Sequence, residues 1–168
     1  GSLLWDRDIR LELAGAHLVV PSLDAGDDVI FQKVNRPYPD ISFVRMVQGH
    51  VDFRKEYHGN LWLEVFILDG ITSTREEVLK IAALAKKIAP DRVQLNTVTR
   101  PPAEDTAVKV KETALPDIAR LFDPPAEIIA DFRKDTAGED FTTTRESVLD
   151  TIRRRPCSVG DIAGGLGI

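Results

Sequence analysis

Apolar and polar positions follow two rhythms that take turns along the chain. Residues 61–68, LWLEVFIL, and 92–99, RVQLNTVT, alternate with the period of two that marks a strand. Residues 17–23, HLVVPSL, are apolar and β-branched and predict another strand, with Pro21 near its end. Residues 41–57, ISFVRMVQGHVDFRKEY, have helical spacing: Phe43, Met46, Val47, His50, Val51 and either Phe53 or Arg54 share a face. Gly59 follows as the expected C-cap. A second long helix ends near Ala89, before Pro90, with Val78, Ile81, Ala82, Leu84, Ala85 and Ile88 inward. Thr74 and Glu77 have the spacing of a capping box at its start. Shorter helices are predicted at 5–15, 27–34 and about 113–122, where Pro116 suits a first turn. Residues 126–132, AEIIADF, predict a last short strand. Prolines make 35–40 a loop, and 100–110 read as a long irregular connection.

Strands separated by segments of helical length need crossovers, so the strands are expected to be parallel and the class α/β. A parallel strand covered on both faces reads apolar throughout. These do not. Leu61, Leu63, Val65 and Ile67 oppose Trp62, Glu64, Phe66 and Leu68. Val93, Leu95 and Thr97 oppose Gln94, Asn96 and Val98, and Val19, Pro21 and Leu23 oppose Val20, Ser22 and Asp24. One face is therefore covered by helices, while the other tolerates Ser22, Asp24, Glu64, Gln94 and Asn96. A barrel interior near its C-terminal mouth fits, since active sites are built there. An open sheet with a solvated face also fits, and strand-end polar groups also cap loops and bind water. Glu64 is the sharpest case. A carboxylate between Trp62 and Phe66 needs a partner, such as Arg100, or a cationic or hydroxyl-bearing ligand.

Composition narrows the chemistry. A net charge of −5 gives no broad nucleic-acid footprint. The one cysteine, Cys157, allows no disulfide within the chain and no cysteine-cluster metal site, so a reducing cytoplasm is the simplest compartment. No apolar run has the length of a membrane span. No signal peptide is visible and the first residue is not Met, so a piece of a longer protein is expected. His17, His50 and His58 lack metal-ligand spacing, and there is no GxSxG, P-loop or GxGxxG. Asp24 with Glu64 as an acid/base pair would need a separation that spacing does not give.

Several segments, taken in order, carry a resemblance: VVPSLDAGDD, VNRPYPDISF, FRKEYHGNLWLEVFILDG and DRVQLNTVTRPPAED. Together they resemble the C-terminal half of radical S-adenosylmethionine (SAM) proteins, and among these the iron–sulfur oxidoreductases related to wyosine-synthesising enzymes. Residues 1–4, GSLL, resemble the segment before that group's fourth strand. The resemblance covers residues 1–132 and implies an incomplete part of a (β/α)6 barrel, a relative of the TIM barrel. It implies that Ser22, Asp24, Glu64 and Asn96 face SAM, and that Asn35, Arg36, Gln94 and Arg100 face substrate. The family's CxxxCxxC motif, which gives three thiolates to a [4Fe–4S] cluster, is absent from these 168 residues, as is its glycine-rich SAM segment. The resemblance therefore implies a fragment of an enzyme that cleaves SAM reductively to a 5′-deoxyadenosyl radical, or else a relic that has lost that chemistry; the fragment is the expectation. No catalytic residue or metal ligand falls in the chain, which is expected to be inactive alone. A non-catalytic ligand-binding or regulatory module is the alternative. The expected partners are the missing N-terminal half of the barrel and, through the exposed sheet edge, a second copy; the tail could also pack over the opening.

Residues 133–143 read as a polar linker. In 144–168, Thr143 and Glu146 have capping-box spacing at the boundary, and Val148, Leu149 and Ile152 form an apolar face. CSVGDIAGGLGI resembles the helix leading into the turn of a winged helix. Reading DNA needs the second helix, so nucleic acid is an expected partner only where that module is completed. The IRRRP segment reads as a solvated helix end, and Cys157 as a small structural residue.

Overall fold

Four parallel strands lie side by side in the order in which they occur in the sequence: β1 (Leu18–Val19), β2 (Asn60–Ile67), β3 (Arg92–Thr97) and β4 (Glu127–Ile128). The structure is a computed structural model that describes residues 1–98 and 108–130. The helices are α1 (Arg7–Leu13), α2 (Asp28–Asn35), α3 (Phe43–Glu56), α4 (Arg75–Ile88) and α5 (Leu115–Ala119), the last preceded by a 3-10 turn at Glu112–Ala114. Right-handed crossovers between strands taken in sequence order carry the connecting helices to a single face. Burial follows that rule. Leu61, Leu63, Val65 and Ile67 are fully buried in a cluster with Met46, Val47, Val51 and Phe53 of α3 and Val78, Ile81, Ala85 and Ile88 of α4. Each such side chain contributes about 1.5–3 kcal/mol of burial. The alternate positions Trp62, Glu64, Phe66, Gln94 and Asn96 stay half-buried on the other face. The α/β class with parallel strands and crossover helices is as expected. The described sheet does not close, and β1 and β4 are its edges.

Side-chain oxygens start the helices where expected. Asp27 accepts from the Ile30 amide at 2.9 Å, Ser42 from Arg45 at 3.5 Å and Thr74 from Glu77 at 3.4 Å. The capping box at α4 is only half made, because the Glu77 carboxylate is engaged elsewhere. Gly59 is not the cap of α3. Tyr57 is, in an extended conformation (φ −98°), with its amide on the Phe53 carbonyl. A Cβ on Gly59 would collide with the Tyr57 ring, whose hydroxyl donates to Ala16 O at 2.9 Å; the glycine is there for space. Phe53 takes the inward place, and Arg54 pairs with Asp91 at 2.9 Å. Leu84 is only half-buried.

The ladder of β1 is shorter than 17–23 because Pro21 has no N–H to donate. Its carbonyl still accepts from Glu64 N, and Leu23 N donates to Glu64 O, both at 2.9 Å. Pairing therefore reaches an isolated bridge between Ser22 and Glu64. Leu68 was expected on the open face, but β2 ends at Ile67; Leu68 turns inward, is buried and bridges Lys109. The last strand pairs over two residues, with Ile129 N adding a bond to Leu95 O at 2.9 Å. Arg100, the linker and the residues read as a winged-helix start lie outside the described residues.

Candidate functional site

Of the expected site residues, Ser22 and Asp24 lie just beyond β1, Glu64 and Gln94 lie within β2 and β3, and Asn96 lies one residue before the end of β3. In register, Ser22 stands beside Glu64, and Glu64 beside Gln94. Neighbouring strands are about 4.8 Å apart, so this row crosses about 10 Å of sheet. Asn96, two residues beyond Gln94, reaches back and donates from Nδ2 to Glu64 Oε1 at 3.0 Å. Its own Oδ1 accepts from the Thr97 amide at 2.9 Å. Thr97 is buried and locks the strand end, donating to Ile67 O at 2.8 Å and accepting from Val110 N at 3.1 Å. Among the described residues the partner of Glu64 is thus Asn96, a neighbour two rungs up the sheet.

Asp24 closes the ladder by a different route. The chain leaves β2 after Leu23, so the next β2 donor, Phe66 N–H, has no β1 carbonyl to meet. Asp24 Oδ1 accepts it instead, at 3.1 Å. Its Oδ2 accepts from Asn35 Nδ2 at 3.0 Å. Asn35 is the last residue of α2, and Arg36 follows in the left-handed region (φ 43°, ψ 56°), which costs a non-glycine residue about 1–2 kcal/mol. Burial holds the Asp24 carboxyl above its usual range. The bonds from Asn35 and Phe66 work against this, and the nearby Glu64 charge adds to it.

Two buried polar groups stand behind this row; sequence reasoning placed His50 on the inward face of its helix and missed the contact of Glu77. His50 is fully buried on α3, with Nδ1 2.8 Å from Met46 O; Nε2 has no hydrogen-bond partner, although the Ser22 backbone lies alongside. A histidine within an apolar helical face was the available signal. Glu77 is also buried, and its carboxylate accepts from Gly26 N at 2.6 Å. Its capping-box spacing concealed that contact.

The structure therefore brings together Ser22, Asp24, Asn35, Glu64, Gln94 and Asn96, with Arg36 adjoining through Asn35. Carboxylates, amides and a hydroxyl on a half-buried face suit a ligand bearing hydroxyl or ammonium groups. Among the described residues no three His, Cys, Asp or Glu side chains are grouped to hold a metal ion. Two depressions among the described residues lie elsewhere. One of about 300 Å³ lies against Arg7, Leu11, Phe53 and Tyr57, and one of about 180 Å³ against Ala85, Arg92, Phe122 and Pro124. The polar row is an open face of the sheet and lines neither. No described helix is long and apolar enough to cross a membrane.

No protein-family profile matches the chain. It is similar to a protein named GTPase Obg of Brachyspira hyodysenteriae, 36% identical over 166 residues, 97% of this chain and 24% of that protein. A UPF0026 protein of Methanocaldococcus jannaschii is 33% identical over 121 residues, 72% of this chain and 38% of that protein. A UPF0026 protein of Helicobacter pylori is 30% identical over 159 residues, 94% of this chain and 51% of that protein. The chain thus spans between about a quarter and a half of these relatives. None of these names refers to wyosine synthesis. Among solved structures, a domain of pyruvate-formate lyase-activating enzyme from Bacteroides vulgatus superposes with a TM-score of 0.60 at 10% identity, covering 77% of both chains. A radical SAM methyltransferase from Sphaerobacter thermophilus gives 0.60 at 16% identity, covering 77% of this chain and 39% of that one. At these identities the likeness is one of fold: the parallel, singly wound sheet resembles that of radical SAM enzymes.

Proposed function

We propose that the chain is the C-terminal part of a radical SAM barrel, in an iron–sulfur oxidoreductase of the wyosine-synthase-related group, and that its open sheet face is a wall of the SAM and substrate pocket. The observation that carries this reading is the row of carboxylates and amides in register across consecutive parallel strands, on the face opposite the helix-packed core. In a barrel that face is the interior. Ser22, Asp24, Glu64 and Asn96 would hold SAM, with the carboxylates accepting from ribose hydroxyls or the ammonium group. Asn35, Arg36, Gln94 and Arg100 would face substrate.

The residues present do not fit a [4Fe–4S] cluster. Its ligands are thiolates, and the only one available here is Cys157, far along the sequence from every residue of the row. No step of reductive cleavage is therefore assigned to this chain. Cluster ligands would come from an N-terminal half of the barrel, the principal partner on this reading, meeting the β1 edge. Bound SAM supplies the adenosyl group from which such enzymes make their radical. The residues here would orient it and keep water away. Residues 144–168 would begin a winged-helix module.

The test is SAM binding by the anaerobically reconstituted full-length protein, measured by equilibrium dialysis. Glu64→Gln and Asn96→Ala should each weaken binding about tenfold or more, since a hydrogen bond to a charged group is worth about 1.5–3 kcal/mol. A full-length protein that binds neither iron nor SAM would sink the proposal and favour the non-catalytic module.

A further inference from the structure

The loop that carries Asp24 is tied to α4 at several points. Gly26 N–H donates to Glu77 Oε1 at 2.6 Å. Asp27, which caps α2, pairs with Lys80 Nζ at 2.9 Å, and Lys80 also lies 3.1 Å from Glu76 and 3.5 Å from Glu77 Oε2. These partners, Asp27 foremost, hold the Lys80 ammonium well above its ordinary range. Gly26 is pressed against the helix: a Cβ there would overlap Lys80 Cβ and crowd Ile81 N. Glu77 itself is only 4% exposed.

A buried carboxylate is a poor way to stabilise a helix–loop contact. Apolar side chains of the same volume often do as well or better. What the carboxylate adds is a fixed position for one backbone amide. We propose that Glu77 is a positioning residue: its carboxylate holds Gly26, and through Ala25, the one residue between Gly26 and Asp24, it sets where the Asp24–Asn35 pair stands. The tie acts from outside the polar row, since Glu77 does not line the open face. Its consequence for a bound molecule rests on the reading of that face as a SAM and substrate wall. The tie itself does not.

The experiment is therefore done without ligand, on the full chain. Amide hydrogen exchange is measured at Gly26, at Phe66 and in the slowest-exchanging amides of β2 and β3, and the Asp24 carboxyl is titrated by 13C NMR. In Glu77→Met, exchange at Gly26 and Phe66 should rise at least tenfold while the β2 and β3 core is unchanged. The Asp24 titration should move down toward the ordinary carboxylate range as burial is relaxed. Glu77→Gln keeps an acceptor for Gly26 and should restore both readings. Gly26→Ala, which pushes the loop off α4, should reproduce the Glu77→Met pattern and serves if that variant does not fold. Unchanged exchange and titration would overturn the proposal. So would a uniform acceleration of all amides, which marks a merely structural residue, or a glutamine variant as loose as the methionine one. A wild-type protein that binds no SAM would remove the ligand reading and leave this test standing.

Discussion

Replacing Asp24 by Asn removes a charge and keeps the shape, and the structure gives the sign of the result. Both carboxylate oxygens accept, one from Phe66 N–H at 3.1 Å and one from Asn35 Nδ2 at 3.0 Å. An amide keeps the first bond, and a turn of the Asn35 amide keeps the second. Burial nevertheless outweighs these bonds for the ionised form, because the carboxyl titrates above its ordinary value of 3.8. A group displaced in this direction stabilises the fold fully below its unfolded pKa. That contribution is lost as the pH rises through the folded value. Each pH unit of displacement corresponds to about 1.4 kcal/mol. Asp24→Asn should therefore be the more stable protein at pH 7. The advantage should fade toward pH 4. Asp24→Ala, by contrast, strands the Phe66 donor and should cost about 1–3 kcal/mol. Urea unfolding of the three proteins from pH 4 to 7, followed by tryptophan fluorescence, measures all of this. An Asp24→Asn protein that is less stable than wild type at pH 7, or a difference independent of pH, would refute the reasoning. On the proposed function the same substitution weakens SAM binding. Stability and binding would then move in opposite directions, as expected where a site retains a costly group.

Other outcomes follow from the core. Leu63 is fully buried in the middle of β2, so Leu63→Ala should lower stability by about 2–5 kcal/mol in urea titrations; a loss below about 1 kcal/mol would mean the helix-covered face is misassigned. Burial holds the His50 imidazole below its ordinary value of 6.5. Its contribution is therefore full above pH 6.5 and lost as the pH falls from there through the folded value. Thermal melts of His50→Gln should show a weaker loss of Tm between pH 7.5 and 5 than wild type; parallel slopes would exclude His50 as the source.

Local patterns were legible where one residue decides one contact. The period of two in LWLEVFIL and RVQLNTVT separated Leu63 and Leu95 from Glu64 and Asn96, and the structure divides the same residues between core and open face. Ser22, Asp24, Glu64, Gln94 and Asn96 could be placed on one face of the sheet because the period of two sets them opposite the core residues. The pairings among them were not legible. Asp24 meets Phe66, and Gly26 meets Glu77, across long stretches of chain whose packing no local rule states. Asn96, which donates to Glu64, was not singled out as its partner, because charge is the obvious partner for charge. Gly59 was read as a cap because glycine is read first for its freedom of φ, when its use here is the absence of a Cβ beside Tyr57. Thr74 and Glu77 fitted the capping box in spacing, and tertiary demand for the Glu77 carboxylate overrode the local motif.

The order of the strands has a consequence for how the molecule comes to be made. β2 lies against β1, β3 against β2 and β4 against β3, so each strand finds its neighbour already synthesised when it leaves the ribosome. None has to be threaded between two earlier ones. Growth by accretion keeps every loop closure to one crossover between consecutive strands, where the entropy of closing is smallest. It also means that at every moment of translation exactly one new edge is sticky. A ribosome-bound chain halted after β3 should therefore protect the amides shared by β2 and β3 before β4 exists.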